Sequence, residues 1–191
     1  MNKPTKIPAT AYILIGGESK RFGSLKWQTT INGQTILDRI WDACDGIGNR
    51  YVIGKKKPDS ISYPFIKDEL EINAPINGLY TALKNAKTDW ILLLSCDLPL
   101  IDSNTILELW NVNKTELDAI VPMTGDQAHP LCAFYHTRFF MALESRVEKG
   151  EFSLKGFLDS ILTKYVEMDD QENSLFNMNT MEDFNEIKVR K

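Results

Sequence analysis

The sequence predicts an α/β sandwich of the doubly wound type, with a mostly parallel central sheet. Short apolar runs bounded by turn residues alternate with stretches of helical period along the 191 residues. The run "DWILLLS" at 89–95 is apolar on both faces, as expected at the centre of a parallel sheet that helices cover on both sides. Strands that alternate with helices in this way are typical of a doubly wound fold.

The individual elements follow from the same patterns. Apolar runs predict strands at 11–17, 50–54, 62–68, 89–95, 118–123, 130–136 and 164–168, the last at a sheet edge. Helical spacing predicts helices that start at Thr35 and that cover 76–86, 103–112, 137–149, 153–160 and 180–188. Thr180 and Asp183 have the spacing of a capping box at the last helix. We expect one domain, 1–191, whose ordered core covers about 11–188.

Composition narrows the class of protein. The net charge of -4 argues against a nucleic-acid binder that relies on a broad basic face. Cys44, Cys96 and Cys132 are scattered, which indicates reduced thiols and a cytoplasmic location rather than a disulfide framework. His129 and His136 lack cysteines at metal-ligand spacing, which argues against zinc. No window approaches the roughly 18 apolar residues that a membrane span needs.

The stretch "LIGGESKRFGSLK" at 14–26 is the main candidate for ligand binding. It follows the first strand, at the sheet edge where ligands bind in open α/β folds. The Walker A pattern requires a lysine directly after its second glycine, but Ser24 follows Gly23. The dinucleotide fingerprint requires one residue between its first two glycines, but Gly16 and Gly17 are adjacent. A Gly-Gly turn can aim successive N–H groups at an anion. Four side chains are then available to phosphates: Ser19, Lys20, Arg21 and Lys26. A flexible surface loop with solvated lysines is the alternative.

This loop resembles the signature L-x-G-G-x-S-x-R-x-G-x-x-K of small nucleotidyltransferases of the glycosyltransferase-A-like group. The matching positions are Leu14, Gly16, Gly17, Ser19, Arg21, Gly23 and Lys26. Further motifs follow in the family's order: "INAPINGL" (72–79), "SCDLPLI" (95–101), "HPLCAFYH" (129–136), "GEFSLKGFL" (150–158) and "FNMNTMEDF" (176–184). The whole set is similar to the MobA family of nucleotidyltransferases, and most similar to its molybdenum cofactor guanylyltransferases.

The resemblance implies a fold, an activity and partners. The fold would be a three-layer, Rossmann-like α/β/α sandwich of the nucleotide-diphospho-sugar transferase type. The activity would be the Mg²⁺-dependent transfer of GMP from GTP to molybdopterin, or the molybdenum cofactor, with release of pyrophosphate. The resemblance allows two kinds of protein partner, cofactor-delivery proteins and acceptor molybdoenzymes. It implies that neither nucleic acid nor a membrane is a partner.

The resemblance also implies roles for individual residues. Leu14, Ile15 and Gly16 would hold the nucleotide through their backbone, and Lys26 would bind its phosphates. Asp97 would contact both nucleotide and Mg²⁺. The remaining implied positions are Gly17, Ser19, Asp68, Pro75 and Gly78 at the nucleotide, Arg21 as a catalytic cation beside Lys26 and Asp97, and Asn179 as the second metal ligand.

Three departures from the family pattern leave the base open. Ile15 replaces the usual alanine, Gly54 stands where some relatives place a nucleotide-binding asparagine, and Ala74 replaces glycine. A cytidylyltransferase, or another nucleotidyltransferase of the same fold with a different base or acceptor, is therefore the first alternative. A nucleotide-binding accessory protein without transfer activity is the second.

Several site residues also have purely structural interpretations. Asp97 and Asp68 fit turn residues after strands, Asn177 and Asn179 fit turns before the last helix, and Arg21 fits a surface ion pair. His129 fits either an acceptor contact or a structural imidazole. Ser153 and Lys155 fit pterin contacts or, equally, a helix cap and a solvated lysine. Lys55, Lys56 and Lys57 are predicted to form a solvated loop.

Overall fold

The strands supply the scaffold. In the computed structural model, which describes residues 6–16 and 25–189, they are β1 (Ile7–Leu14), β2 (Thr30–Ile31), β3 (Gln34–Thr35), β4 (Ile47–Gly54), β5 (Phe65–Lys67), β6 (Trp90–Ser95), β7 (Ala119–Thr124), β8 (Gln127–Ala128), β9 (Cys132–His136) and β10 (Thr163–Glu167). The α-helices are α1 (Ile36–Ala43), α2 (Pro75–Lys84), α3 (Ser103–Trp110), α4 (Phe140–Glu148), α5 (Leu154–Leu158) and α6 (Met181–Val189). Short 3₁₀ helices cover Lys26–Gln28, Thr137–Phe139 and Asp169–Gln171.

The main sheet has the strand order β10-β7-β9-β6-β1-β4-β5, and β8 pairs with β7. The pairs β4–β1, β1–β6, β4–β5 and β7–β10 are parallel, whereas β9 is antiparallel to both of its neighbours. The strands β5, β4, β1 and β6 therefore end at the same edge of the sheet. That shared edge positions the candidate site.

Two apolar layers cover the sheet. Along β1, Ala11 and Ile13 pack on one side and Tyr12 and Leu14 on the other, because successive side chains of a strand alternate. Helices α1, α3 and α6 bury their apolar faces on the first side, and α2, α4 and α5 on the second. The predicted three-layer α/β/α sandwich with a mostly parallel sheet is thus confirmed. In the described segments, every helix is too short or too polar to span a lipid bilayer.

Side chains cap the starts of four helices. The Thr35 side chain accepts a hydrogen bond from Asp38 N, and Asp102 accepts one from Thr105 N at 2.9 Å. Ser153 Oγ accepts from Gly156 N at 3.0 Å, which confirms the helix-cap interpretation of Ser153. At α6, Thr180 Oγ1 accepts from Asp183 N at 3.1 Å while Asp183 Oδ2 accepts from Thr180 N at 2.8 Å. The capping box is therefore present.

Some predicted bounds were wrong for identifiable reasons. β1 covers Ile7–Leu14 rather than 11–17, so Ile15 and Gly16 belong to the following loop. The strand predicted at 62–68 is only Phe65–Lys67, because Pro64 has no N–H to donate to the ladder. The helix predicted at 137–149 begins as a 3₁₀ turn, in which His136 Nδ1 accepts from Arg138 N at 3.1 Å.

A small hairpin was not predicted. β2 and β3 pair around Asn32 and Gly33, whose φ angles are 52° and 80°. Asn-Gly is the preferred sequence for a two-residue turn with both φ angles positive. The hairpin follows the 3₁₀ helix Lys26–Gln28, and Ile36 N donates to Thr29 O at 2.9 Å, which closes it onto the start of α1.

Candidate active site

A cleft of about 410 Å³ lies at the carboxyl edge of β1, β4, β5 and β6. Leu14 and Ser95 end two of these strands, Ile53 lies in the third, and Asp68 directly follows the fourth. The other residues that line it are Gly16, Lys55, Ile72, Asn73, Ala74, Pro75, Asn77, Gly78, Asp97 and Leu131. Its volume is in the range of small-ligand sites.

Backbone hydrogen bonds fix the end of β1 at the floor of this cleft. Ile15 N donates to Ile53 O at 2.9 Å, and Cys96 N donates to Leu14 O at 3.2 Å. These bonds hold the beginning of the glycine-rich loop between the ends of β4 and β6. As a result, Gly16 and Asp97 face the same cleft.

Three predicted site residues meet at the β6 end of the cleft. Lys26 Nζ lies 2.7 Å from Asp97 Oδ1 and 3.0 Å from Asn179 Oδ1. The Lys26 side chain is 12% exposed and that of Asp97 is 38% exposed, so the lysine is sheltered while the carboxylate stays open to a ligand. The three residues come from distant parts of the chain, and the fold places a cation between two hard oxygen atoms.

The segment before α6 is anchored to the same point. Met178 N donates to Asp97 O at 2.8 Å, and Asn179 N donates to Asp183 Oδ2 at 2.6 Å. Partial burial acts to raise the pKa of Asp183, but the N–H donors of Asn179 and Thr180 outweigh it and hold that pKa below its ordinary value. Asp183 therefore acts as a charged anchor that orients Asn179 toward Lys26.

The oxygen atoms of Asp97 and Asn179 suit a divalent cation. Both already contact one cationic centre, the Lys26 ammonium, so they converge closely enough to share an ion. In residues 6–16 and 25–189, His, Cys, Asp and Glu form no group of three or more that could hold a metal. Mg²⁺ commonly uses one or two protein oxygens and completes its shell with water and substrate phosphates. The donor set therefore fits Mg²⁺ bound together with a nucleotide.

The opposite end of the cleft carries Asp68, Lys55 and Asn73. Asp68 N donates to Gly54 O at 3.0 Å, and Lys55 Nζ donates to Asn73 Oδ1 at 2.5 Å. Burial raises the pKa of Asp68, and the positive charge of Lys55 opposes that rise. A half-buried carboxylate and an exposed ammonium thus share this end of the cleft.

The wall of the cleft is the first turn of α2. Pro75 occupies the first turn, where its missing N–H is not needed. A Cβ atom at Gly78 would lie 2.5 Å from Leu14 Cδ1, so glycine permits the close approach of α2 to β1. Asn77 is buried and donates to the carbonyls of Leu70 and Ile72, at 2.8 and 3.2 Å, which holds the loop before α2 against the helix.

Two of the unusual residues are coupled in space. A Cβ atom at Gly54 would lie 3.0 Å from Cγ1 of Ile15, a tighter contact than side chains normally make. The isoleucine at 15 and the glycine at 54 therefore accommodate each other. Ile15 itself is absent from the cleft lining, and its side chain packs against the core.

A second, smaller cavity of about 130 Å³ adjoins the first at Asp97. It shares Ser95, Asp97 and Leu131 with the first cleft. The other residues that line it are Leu98, Ala128, His129, Pro130 and Asn177. Asp97 consequently stands at the junction of a larger and a smaller cavity.

His129 is buried in the wall of this second cavity. Its Nε2 lies 2.8 Å from Thr124 Oγ1, and its Nδ1 lies 3.3 Å from Asn177 Nδ2. Burial lowers the pKa of His129, so the imidazole is neutral at pH 7. Both ring nitrogens have partners, as a structural imidazole requires, and the ring also borders the cavity.

The structure brings together most of the predicted nucleotide residues. Those that line the cleft are Leu14, Gly16, Asp68, Pro75, Gly78 and Asp97. Lys26 reaches it through its contact with Asp97, and Asn179 through its contact with Lys26, whereas Gly17, Ser19 and Arg21 lie outside the described residues. Lys55, Asn73, Asn77 and Ser95 were not predicted to line it. Their position relative to the strands could have indicated them, since Ser95 ends β6 and Lys55 follows β4 at the carboxyl edge of the sheet.

The sheet order and the cleft at its carboxyl edge define a class: a doubly wound α/β protein with a ligand site at the strand ends. The sequence matches the MobA-like NTP transferase domain over residues 11–166. The chain belongs to this family.

Individual relatives agree with this assignment. A protein of Aquifex aeolicus named probable molybdenum cofactor guanylyltransferase is 32% identical over 182 residues, which cover 93% of this chain and 89% of the relative. The molybdenum cofactor guanylyltransferase of Campylobacter jejuni RM1221 is 31% identical, with 93% and 94% covered. Molybdopterin-guanine dinucleotide biosynthesis protein A of Archaeoglobus fulgidus superposes with a TM-score of 0.81, covering 95% and 97% of the two chains. Its 19% identity indicates the shared fold alone.

Proposed function

We propose that this protein transfers GMP from GTP to molybdopterin, or to the molybdenum cofactor, and releases pyrophosphate. The observation that carries the proposal is the meeting of two cavities at Asp97, beside Lys26. The larger cavity suits a nucleotide, and we place the acceptor in the smaller one, which shares Asp97 with it. The names of the relatives supply the identity of the base and of the pterin.

The nucleotide would lie with its triphosphate toward Lys26 and Asp97. Backbone N–H groups at the start of the glycine-rich loop, beside Gly16, would face the phosphates. Lys26 would exchange its contact with Asp97 for the phosphate oxygens, so that its ammonium offsets the charge that develops on the leaving pyrophosphate. Arg21 is the additional cation that we propose on the same loop.

The transfer itself needs little covalent help from the protein. An oxygen of the acceptor's terminal phosphate forms a bond to the α-phosphorus of GTP, and the bond from that phosphorus to the bridging oxygen breaks. Because the acceptor oxygen is already ionised, no side chain has to remove a proton from it. Positioning and charge neutralisation supply the catalysis.

Mg²⁺ is the cofactor that we propose, held by the oxygen atoms of Asp97 and Asn179. When bound, it would add positive charge beside the triphosphate. Asp183 supports this role indirectly, because it fixes the backbone of Asn179. Cofactor-delivery proteins and acceptor molybdoenzymes are the proposed protein partners, without nucleic acid or a membrane. The three cysteines are buried free thiols, which supports a reducing cytoplasmic setting.

A pyrophosphate-release assay tests the proposal. The protein is incubated with Mg²⁺, molybdopterin and one of GTP, CTP, ATP or UTP, and each reaction is repeated without the pterin. We expect release with GTP and molybdopterin together and only background release otherwise. Release with CTP instead would favour the cytidylyltransferase alternative. Tight binding of GTP without release in any reaction would favour the accessory protein.

A further inference from the structure

We infer that Lys55 is a base-specificity residue that, together with Asp68, selects guanine, an inference that rests on the proposed transfer from GTP. The sequence alone predicts that Lys55 lies in a solvated loop with Lys56 and Lys57. All three are exposed, yet Lys55 also lines the cleft.

The strand order locates the base. Along the sheet edge, Asp97 follows β6, Gly16 follows β1, Lys55 follows β4 and Asp68 follows β5. Neighbouring strands are about 4.8 Å apart, so β6 and β5 are separated by about 14 Å. A nucleotide whose phosphates lie at Asp97 extends across β1 toward β4 and β5. Its base then reaches the end of the cleft that carries Lys55 and Asp68.

The Lys55 ammonium is oriented at that end. Its bond to Asn73 Oδ1 ties the loop after β4 to the loop before α2, across the cleft that both residues line. An ammonium has three N–H donors, and Asn73 uses one of them. The electrostatic attraction between Lys55 and Asp68 keeps the donor and the carboxylate on the same side of the base.

This pair complements one nucleobase edge better than the others. Guanine presents the O6 acceptor beside two donors, N1–H and the 2-amino group. An ammonium can donate to O6, and a carboxylate can accept from both donors. Cytosine and adenine present an amino donor beside a ring-nitrogen acceptor, so both protein groups would face the wrong partner. Uracil matches only the O4 acceptor and the N3–H donor, which places UTP second.

A general attraction to phosphate predicts a different result. If Lys55 only added positive charge to the cleft, its removal would weaken the binding of every nucleoside triphosphate by the same factor. A residue that reads the base changes the ratio between nucleotides. That ratio is therefore the decisive quantity.

The experiment measures equilibrium binding of GTP, UTP and CTP, and of 2,6-diaminopurine riboside triphosphate, in which an amino group replaces O6 and N1 carries no hydrogen. The variants are Lys55→Met, Lys55→Arg and the matched control Lys56→Met, all with Mg²⁺ present. We expect Lys55→Met to weaken the binding of GTP about 10- to 100-fold, which is the range for the loss of a hydrogen bond from a charged donor. The affinity for the diaminopurine analogue should stay nearly unchanged. Lys55→Arg should retain most of the preference for GTP, and Lys56→Met should behave as wild type.

Two results would overturn the inference: an equal loss for all four nucleotides, or an unchanged ratio of GTP to the analogue in Lys55→Met. Because Lys55 is exposed, the variant is expected to fold, and its thermal unfolding confirms that. Either of these results leaves the proposed function standing if the wild type still transfers GMP to molybdopterin. A wild-type protein that transfers only CMP overturns both.

Discussion

Lys26 and Asp97, 71 positions apart in the chain, form an ion pair of 2.7 Å at the point where the two cavities meet. The pair stands at the carboxyl edge of the central sheet. Asn179 joins it from the segment before the last helix, at 3.0 Å from the Lys26 ammonium. The Lys26 ammonium thus holds two oxygen ligands together, and a divalent ion with bound phosphates can take its place between them.

Asp97→Asn should remove turnover and leave stability nearly unchanged. The substitution keeps the shape of the side chain and its backbone bond from Met178, but removes the charge that faces the cleft. We expect pyrophosphate release to fall by about 10²- to 10³-fold or more, as for the loss of a preorganised charged group. Asp170→Asn, an exposed carboxylate away from both cavities, is the control. An active Asp97→Asn enzyme would refute the role of Asp97.

Lys26→Met should have opposite effects on metal binding and on catalysis. Without nucleotide, the Lys26 ammonium competes with a divalent ion for the oxygens of Asp97 and Asn179. Removing it should strengthen Mn²⁺ binding, measured by calorimetry as a probe for Mg²⁺, by about two- to fivefold, or about 0.5–1 kcal/mol. Pyrophosphate release should fall because the phosphates lose a cation. Weaker Mn²⁺ binding in the variant would show that Lys26 and the ion do not share ligands.

Asp183→Ala should impair both the last helix and the site. Asp183 accepts hydrogen bonds from the backbone of Asn179 and Thr180, and its own N–H donates to Thr180. Loss of such a cap typically costs about 0.5–2 kcal/mol, measured by urea denaturation. The KM for GTP should also rise, because Asn179 loses its anchor. Glu182→Ala, an exposed neighbour in the same turn, should change neither quantity. A destabilised variant with wild-type KM would separate the cap from the site.

Asp68→Asn should stabilise the empty protein and weaken GTP binding. Because burial raises the pKa of Asp68 above its ordinary 3.8, ionisation costs the folded state more than the unfolded state. Stability is therefore lost as the pH rises from the ordinary value through the raised one. Thermal unfolding should show that the variant is more stable than wild type at neutral pH. This difference in stability should vanish as the pH falls toward 3.8.

The same variant should lose the thermal shift that GTP produces. Wild type with GTP at ~100 times its Kd should gain about 2.7 kcal/mol, and the variant should gain clearly less at the same concentration. Asp59→Asn serves as the exposed control. A variant that is less stable than wild type at neutral pH would contradict the assigned cost of burying the Asp68 carboxylate.

Periodicity was sufficient to predict the layers of this fold but not every strand direction. The apolar run of β6 fixed its central place, yet nothing in "PLCAFYH" distinguishes a parallel from an antiparallel strand, and β9 is antiparallel to β6 and β7. The dipeptide Asn32-Gly33 is a hairpin signal in the sequence, and both residues have positive φ angles in the structure. Pro64 likewise explains why β5 is short.

The site was predictable where motifs carried it and hidden where it depends on contacts between loops. Asp97 and Lys26 came from the family motifs, but their direct contact needs the fold. The packing of Ile15 against Gly54 relates two unusual residues that look independent in the sequence. In the sequence Lys55 looks like a solvated lysine, because its partner Asn73 is 18 positions away and only the fold brings the two loops together.

The most direct test of the central claim is to identify the product formed from an equimolar mixture of GTP and CTP with molybdopterin and Mg²⁺. Mass spectrometry of the pterin distinguishes the two dinucleotides. We predict molybdopterin guanine dinucleotide from the wild-type protein and unchanged molybdopterin from Asp97→Asn. The cytosine dinucleotide, or unchanged molybdopterin with the wild type, would contradict the account.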